Sequence, residues 1–136
     1  MKFALAIHKE PDSDYGVTVL DLPGCFSAGE TIDEAIEQAK EAIECHLEAL
    51  IQDEEVLPLP SPLEHHQANP DNSGAVFAFV EVDMNKITGP AQRINITLPK
   101  WVLRQMDIYA KKEALARSTL IANAALEYIK SHSKNR

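Results

Sequence analysis

Arg93-Ile94-Asn95-Ile96-Thr97-Leu98-Pro99 alternates polar and apolar residues without a break up to its proline. Successive side chains of a strand point to opposite sides, so Ile94, Ile96 and Leu98 share one face and Arg93, Asn95 and Thr97 the other. Pro99 ends the strand and suits the first turn of a helix, where its missing N–H is no loss. Leu103, Met106 and Ala110 then recur at helical spacing, with Val102 and Tyr109 beside them, which predicts a helix from Lys100 to about Glu113. Ala114-Leu115-Ala116-Arg117 reads as a short connection, and Ser118 as the N-cap of a second helix. That helix is expected to bury Ile121, Ala124, Ala125 and Tyr128, with Ala122 and Ile129 adjoining. Lys130 to Arg136 reads as a fraying polar tail.

One strand and two helices cannot bury much core alone. A module of roughly this size needs oligomerisation, disulfides or a metal, and both cysteines, Cys25 and Cys45, lie upstream of it. Dimerisation is the remaining route. Two strands would pair antiparallel, with their apolar faces down on four helices and their polar faces outward.

Residues 92–130 in this order resemble the ribbon-helix-helix family of repressors, whose two-stranded ribbon enters the major groove of DNA. The resemblance implies that Arg93, Asn95 and Thr97 read base edges. Their chemistry is suitable, since Arg bonds guanine O6/N7, Asn bonds adenine N6/N7, and Thr touches a thymine methyl or donates a hydrogen bond. It also implies a phosphate held where the second helix begins, at Arg117, Ser118 and Thr119, because a helix N-terminus offers free donors and a favourable dipole to an anion. A symmetric dimer through residues 92–130 would read an inverted repeat, and assembly beyond the dimer is left open. The competing reading is a polar edge strand on a small helical tail, with Arg93 and Asn95 merely solvated.

The charge distribution agrees with two modules. The net charge of −8 divides sharply: residues 1–90 carry 4 Lys/Arg against 18 Asp/Glu, a balance of −14, whereas residues 91–136 carry 9 against 3, a balance of +6. The basic part suits a polyanion. The acidic part suits a basic protein partner, or simply keeps a small domain in solution. The chain has no apolar run of membrane-spanning length, and the apolar start at Met1 soon meets Lys9 and Glu10 without a small-residue cleavage site. A cytoplasmic protein with reduced cysteines is expected.

Upstream, Phe3, Leu5 and Ile7 alternate with Ala4, Ala6 and His8, predicting a strand. A turn at Pro11-Asp12-Ser13-Asp14 leads to a second strand from Tyr15 to Leu22, and Cys25 to Ala28 reads as a short third. Thr31-Ile32-Asp33-Glu34 is a capping box. The helix it opens carries Ile32, Ala35, Ile36, Ala39, Ile43, Leu47 and Leu50 on one stripe and Glu37, Glu41, Glu44 and Glu48 outside. Pro58, Pro60, Pro62 and Pro70 predict an irregular surface loop from Glu54 to Ser73. From Ala75 to Met84, Val76, Ala78, Val80 and Val82 face one way and Phe77, Phe79 and Glu81 the other, which reads as an internal strand covered on both sides. Asn85 to Ala91, with Gly89-Pro90, reads as a linker.

The stretch from Tyr15 to Ala35 contains Leu22-Pro23-Gly24-Cys25 and then Gly29-Glu30-Thr31-Ile32-Asp33-Glu34-Ala35. A Pro-Gly after two strands, followed by Gly-x-Thr-x-x-Glu-Ala opening an acidic helix, resembles the HicB antitoxin family. Ser27 stands where Thr is more usual there. With the ribbon-helix-helix tail the resemblance spans nearly the whole chain. It implies an α+β protein: a truncated RNase H-like β-β-β-α-β domain over residues 1–84, then a ribbon-helix-helix module over 92–136. It implies a HicA-like ribonuclease toxin as partner, operator DNA as ligand, and no cofactor. Pro23, Gly24, Gly29, Thr31 and Glu34 all have structural explanations, so the toxin contacts stay unassigned.

Catalysis is not expected. An RNase H site needs clustered carboxylates for two metal ions, and the first strand, Lys2 to Lys9, contains no acid. Asp21 has no evident partners and reads as a turn residue, and Ser27 lacks a nucleophile-elbow context. Metal binding is not expected either, since zinc sites use compact Cys/His spacing. His65-His66, His8, His46 and His132 read as exposed, and Cys45 as packing inward, adjacent to His46 but not on its face. The alternative function is a ribbon-helix-helix repressor whose first domain senses a metal or small molecule.

Overall fold

The computed structural model describes residues 1–133. The chain divides into two compact units, Met1–Ala91 and Gln92–Arg136. The last three residues of the expected polar tail lie outside the described residues.

In the first unit β1 (Lys2–Lys9), β2 (Tyr15–Val19) and β3 (Phe26–Gly29) precede α1 (Ile32–Gln52). After it come α2 (Leu63–Gln67), a 3-10 turn (Pro70–Asn72), β4 (Val76–Glu81) and α3 (Met84–Thr88). The strands form one sheet in the order β3-β2-β1-β4, antiparallel at every pairing. Alternation along β1 directs Phe3, Leu5 and Ile7 to one face, where Val17, Val19 and Val80 join them against Ala35, Ala39, Ile43 and Leu47 of α1. Each large side chain buried there contributes roughly 1.5–3 kcal/mol.

Three local devices set α1 on the sheet. Thr31 Oγ1 accepts from the Glu34 N–H at 3.1 Å, as the capping box requires. Glu34 Oε2 in turn accepts from the Glu30 N–H at 3.1 Å, one residue upstream of the cap itself. Gly29 permits the close approach, because a Cβ there would stand 2.5 Å from the Ala35 backbone nitrogen. Ser27, facing the same helix, donates to the Ala35 carbonyl at 3.0 Å.

Several expectations need correction. The proline-rich segment is not wholly irregular: Pro62 occupies the N-cap position of α2, and Pro70 the first turn of the 3-10 helix, places where proline is compatible with helical structure. The linker contains α3, started by Asp83, whose carboxylate accepts from the Asn85 N–H, and ended by Gly89 at φ 88°. β4 is not an internal strand. It lies at the edge of the sheet, with Phe79 49% exposed and Val76 61% exposed.

In the second unit α4 (Lys100–Lys112) and α5 (Arg117–His132) are joined by a turn in which Ala114 has φ 54°. Ser118 is not the N-cap. Ala116 holds that position, and no side chain caps the helix. Residues 92–99 form no hydrogen-bonded strand in the single chain, since an extended segment needs a neighbouring strand to satisfy its backbone. The expected buried stripe of α5 is also open: Tyr128 is 65% and Ile129 41% exposed, and only Ala110 of α4 is buried in this unit among the described residues. Two short helices cannot cover each other.

Gly29→Ala should destabilise the fold by roughly 1–3 kcal/mol, because backbone would have to move to admit the Cβ. Gly16→Ala is the contrast: its Cβ would meet only the His8 carbonyl oxygen, at 3.9 Å, so stability should hold or rise by roughly 0.4–1 kcal/mol. Urea denaturation of the two variants measures both.

Candidate nucleic-acid interface and a buried carboxylate–imidazole pair

The alternating segment is exposed along its length up to Thr97. Arg93, Asn95 and Thr97 all reach solvent, and so do the apolar residues between them, Ile94 at 70% and Ile96 at 56%. Ile96 and Leu98 border a groove of about 380 Å³ whose other walls include Met106 and Tyr109 of α4 and Leu120 and Ile121 of α5. An apolar groove of this kind, open to water beside an apolar segment, marks a surface suited to a partner or ligand.

The start of α5 has no side-chain cap. With Ala116 at the cap position, the N–H groups of Arg117, Ser118 and Thr119 stand at the positive end of the helix dipole. Arg117 itself is committed elsewhere. Its Nε and Nη2 donate to the two carboxylate oxygens of Asp107 at 2.8 and 2.9 Å, a bidentate tie from α5 to α4. This hydrogen bonding, chiefly, holds the Asp107 carboxyl below its ordinary range. Arg117 is thus first a helix-to-helix tie. Sequence reading also passed over Lys100, Arg104 and Lys111, which flank Leu103 and Ile108 around a second shallow groove on α4. Their spacing of four and seven residues was the available signal.

The first unit holds a different polar feature. His66 Nε2 lies 2.9 Å from Asp21 Oδ1, and the two side chains are 11% and 6% exposed. Asp21 Oδ2 is buried without a hydrogen-bond partner. Asn72 Nδ2 donates to the His66 carbonyl at 2.8 Å, so α2 and the 3-10 turn are fastened together and the pair pins them to the turn after β2. His66 is therefore not an exposed histidine, and Asp21 does more than shape a turn. Tertiary structure brings them together across 45 residues of sequence, which no local pattern announces. Leu20-Asp21-Leu22, a carboxylate between two apolar residues, was the only hint.

Cys45 does not pack inward as expected. Cys45 is exposed and Cys25 buried. Burial, with a smaller effect from nearby Cys45, pushes the Cys25 thiol up from its usual range, which makes it a poor nucleophile. Among the described residues no group of three or more His, Cys, Asp or Glu side chains is placed to hold a metal ion. Among the same residues no helix is long and apolar enough to cross a membrane.

Residues 3–125 match the family model described as the HicB_like antitoxin of bacterial toxin-antitoxin system. The chain belongs to this antitoxin family. A relative from Haemophilus phage HP1, an uncharacterised 14.9 kDa protein of the rep-hol intergenic region, is 39% identical over 127 residues, 92% of this chain and 95% of that one. The solved antitoxin HicB of Burkholderia pseudomallei is 43% identical, with a TM-score of 0.69 over 95% of this chain and 98% of its own. A chain of the solved HicA3 and HicB3 toxin-antitoxin complex is 30% identical, with a TM-score of 0.53 over 61% of this chain and 99% of its own. These similarities support the antitoxin reading of the sequence and a mixed α/β fold of the same kind.

Asp21→Ala should cost roughly 1–3 kcal/mol, because it leaves the buried His66 ring unpaired. Urea denaturation checks the cost, and proteolysis should cut the segment between α1 and β4 sooner. The Asp107–Arg117 tie has a distinct pH signature. Asp107 titrates lower when folded, so the tie stabilises above the unfolded-state carboxylate range and is lost as pH falls through the folded-state value. Arg117→Ala should therefore lower the melting temperature at neutral pH, with a difference that vanishes in acid; both groups are partly solvated, so the effect is small and salt-sensitive.

Proposed function

We propose that this protein is the antitoxin of a type II toxin–antitoxin system that binds and inhibits a HicA-like mRNA-cleaving ribonuclease through residues 1–84. In this reading it represses its own operon through residues 92–136. The first domain is a truncated RNase H-like β-β-β-α-β unit, a reading supported by the order of its principal elements. The partner reading rests on family membership and on the solved HicA3 and HicB3 complex. The balance of −14 over residues 1–90 suits a basic partner.

The observation that carries the DNA reading is the open apolar groove beside Ile96 and Leu98. A second copy would fill it. Two segments 92–99 would pair as an antiparallel ribbon, burying Ile94, Ile96 and Leu98 and turning Arg93, Asn95 and Thr97 outward to bases. Backbone N–H groups at Arg117, Ser118 and Thr119 would take a phosphate, with the Arg117 side chain holding the helices at that place. The operator is then an inverted repeat. No specific observation favours a metal-sensing first domain.

Growth rescue by the chain, co-expressed with the small basic protein encoded beside its gene, tests toxin inhibition; the absence of rescue would remove that part of the proposal. Gel shifts on the upstream DNA test repression. Arg93→Ala and Asn95→Ala should each lose roughly 1–3 kcal/mol of base discrimination per contact, acting in both half-sites, with the fold intact by circular dichroism. Ile96→Asp should dissociate the dimer in sedimentation, because it buries an unpaired charge. Unchanged operator affinity in both Arg93→Ala and Asn95→Ala would assign the DNA contact to another face.

A further inference from the structure

β4 has the composition of an internal strand and the position of an edge strand. Val76, Ala78 and Val80 lie on one face, Phe77 and Phe79 on the other. A strand apolar on both faces is ordinarily flanked and covered. Here β1 pairs with one side only. Natural sheets protect such edges with proline, lysine, a bulge or a covering segment, yet Val76 to Val80 contains no charge and no proline. Its register with β1 is unbroken from Lys2–Glu81 to Ile7–Val76, so no bulge turns it away. On the sheet face away from α1, Phe79 sits beside Ala4 and Phe77 beside Ala6. Ala4 and Ala6 are 3% and 0% exposed while Phe79 is 49% exposed, so the ring rises above a floor of small residues. Lys2 Nζ lies 5.6 Å from the centroid of that ring, its only cationic neighbour of this kind among the described residues.

We propose that the β4 edge, with Phe79 as its anchor, is the docking surface for the basic ribonuclease partner, which adds to the sheet by pairing with this strand. The proposal rests on the antitoxin reading above and assigns the surface that reading left open. Charge selects the occupant. Exposed acids flank the strand in sequence, Asp71 before it and Glu81 and Asp83 after it, Glu81 also holding the Met1 ammonium at 3.2 Å. An apolar strip inside an acidic frame attracts a basic protein and disfavours a second copy of a unit that carries −14 over residues 1–90. Main-chain pairing supplies register, and the exposed aromatic supplies the buried anchor typical of an interface centre.

The test uses the full-length chain and, as probe, the small basic protein encoded beside its gene, carried in a catalytically disabled form, with binding measured by calorimetry. Phe79→Ala should weaken binding by about 30-fold or more, as an anchor residue does. Val76→Lys installs the edge protection that the strand lacks, at a site already 61% exposed, and should weaken binding without lowering the melting temperature. Phe26→Ala, on the opposite edge strand and 64% exposed, should bind as wild type. Wild-type affinity in both Phe79→Ala and Val76→Lys overturns the β4 assignment while leaving the antitoxin reading standing, as does an equal loss in Phe26→Ala. A change of oligomeric state of the chain alone in Val76→Lys assigns the edge to a second copy and overturns the proposal. No binding by the wild-type chain overturns both.

Discussion

Every backbone N–H and C=O removed from water must find a partner, and two extended stretches of this chain test that requirement. In the first unit β1 is paired on both sides and β2 on both sides, which leaves β3 and β4 at the edges. In the second unit residues 92–99 have no strand beside them among the described residues and remain without regular structure. The same sequence feature, strict alternation, therefore leads to different outcomes. Phe3, Leu5 and Ile7 become the floor of a core because neighbouring strands and α1 are contributed by the same chain. Ile94 and Ile96 stay in water because no strand among the described residues lies beside them.

The two units bury their surfaces differently for reasons of size. The first has a sheet and a long helix that oppose two broad apolar faces, and the close fit at Gly29 against Ala35 lets those faces meet without a gap. The second has two helices and an extended segment, with a single buried residue among those described, Ala110. Its helices are tied at the surface by Arg117 and Asp107 rather than through a filled interior. A unit of this size gains little stability from its own core. The division of charge follows the same boundary, acidic before residue 91 and basic after it, so each unit carries the field suited to a different class of partner.

The Asp21–His66 pair shows how a polar contact can organise a segment that hydrophobic packing leaves loose. The chain between α1 and β4 is rich in proline and contains only two short helical turns. Few of its side chains join the main core, Leu57 being one that does. A carboxylate and an imidazole, both nearly excluded from solvent, provide the fixed point instead. Low local dielectric strengthens such a bond and raises the cost of breaking it.

Features that depend on neighbours in sequence were legible from the residues alone. The capping box at Thr31 and Glu34, the apolar stripe from Ala35 to Leu47, the alternation of β1 and the helical spacing of Leu103, Met106 and Ala110 all depend on intervals of two to four residues, and the structure contains each of them. Composition alone separated the acidic part from the basic one. Contacts between distant residues were not legible. The sequence of β4 could not reveal that it stands at an edge, because alternation reports which side chains share a face and says nothing of how many strands lie beyond. Nor could it show that Cys45 faces water, that Asp21 meets His66, or that Arg117 is held by Asp107. Those depend on where whole elements come to rest, and only the tertiary packing of the sheet, α1 and the two C-terminal helices decided that.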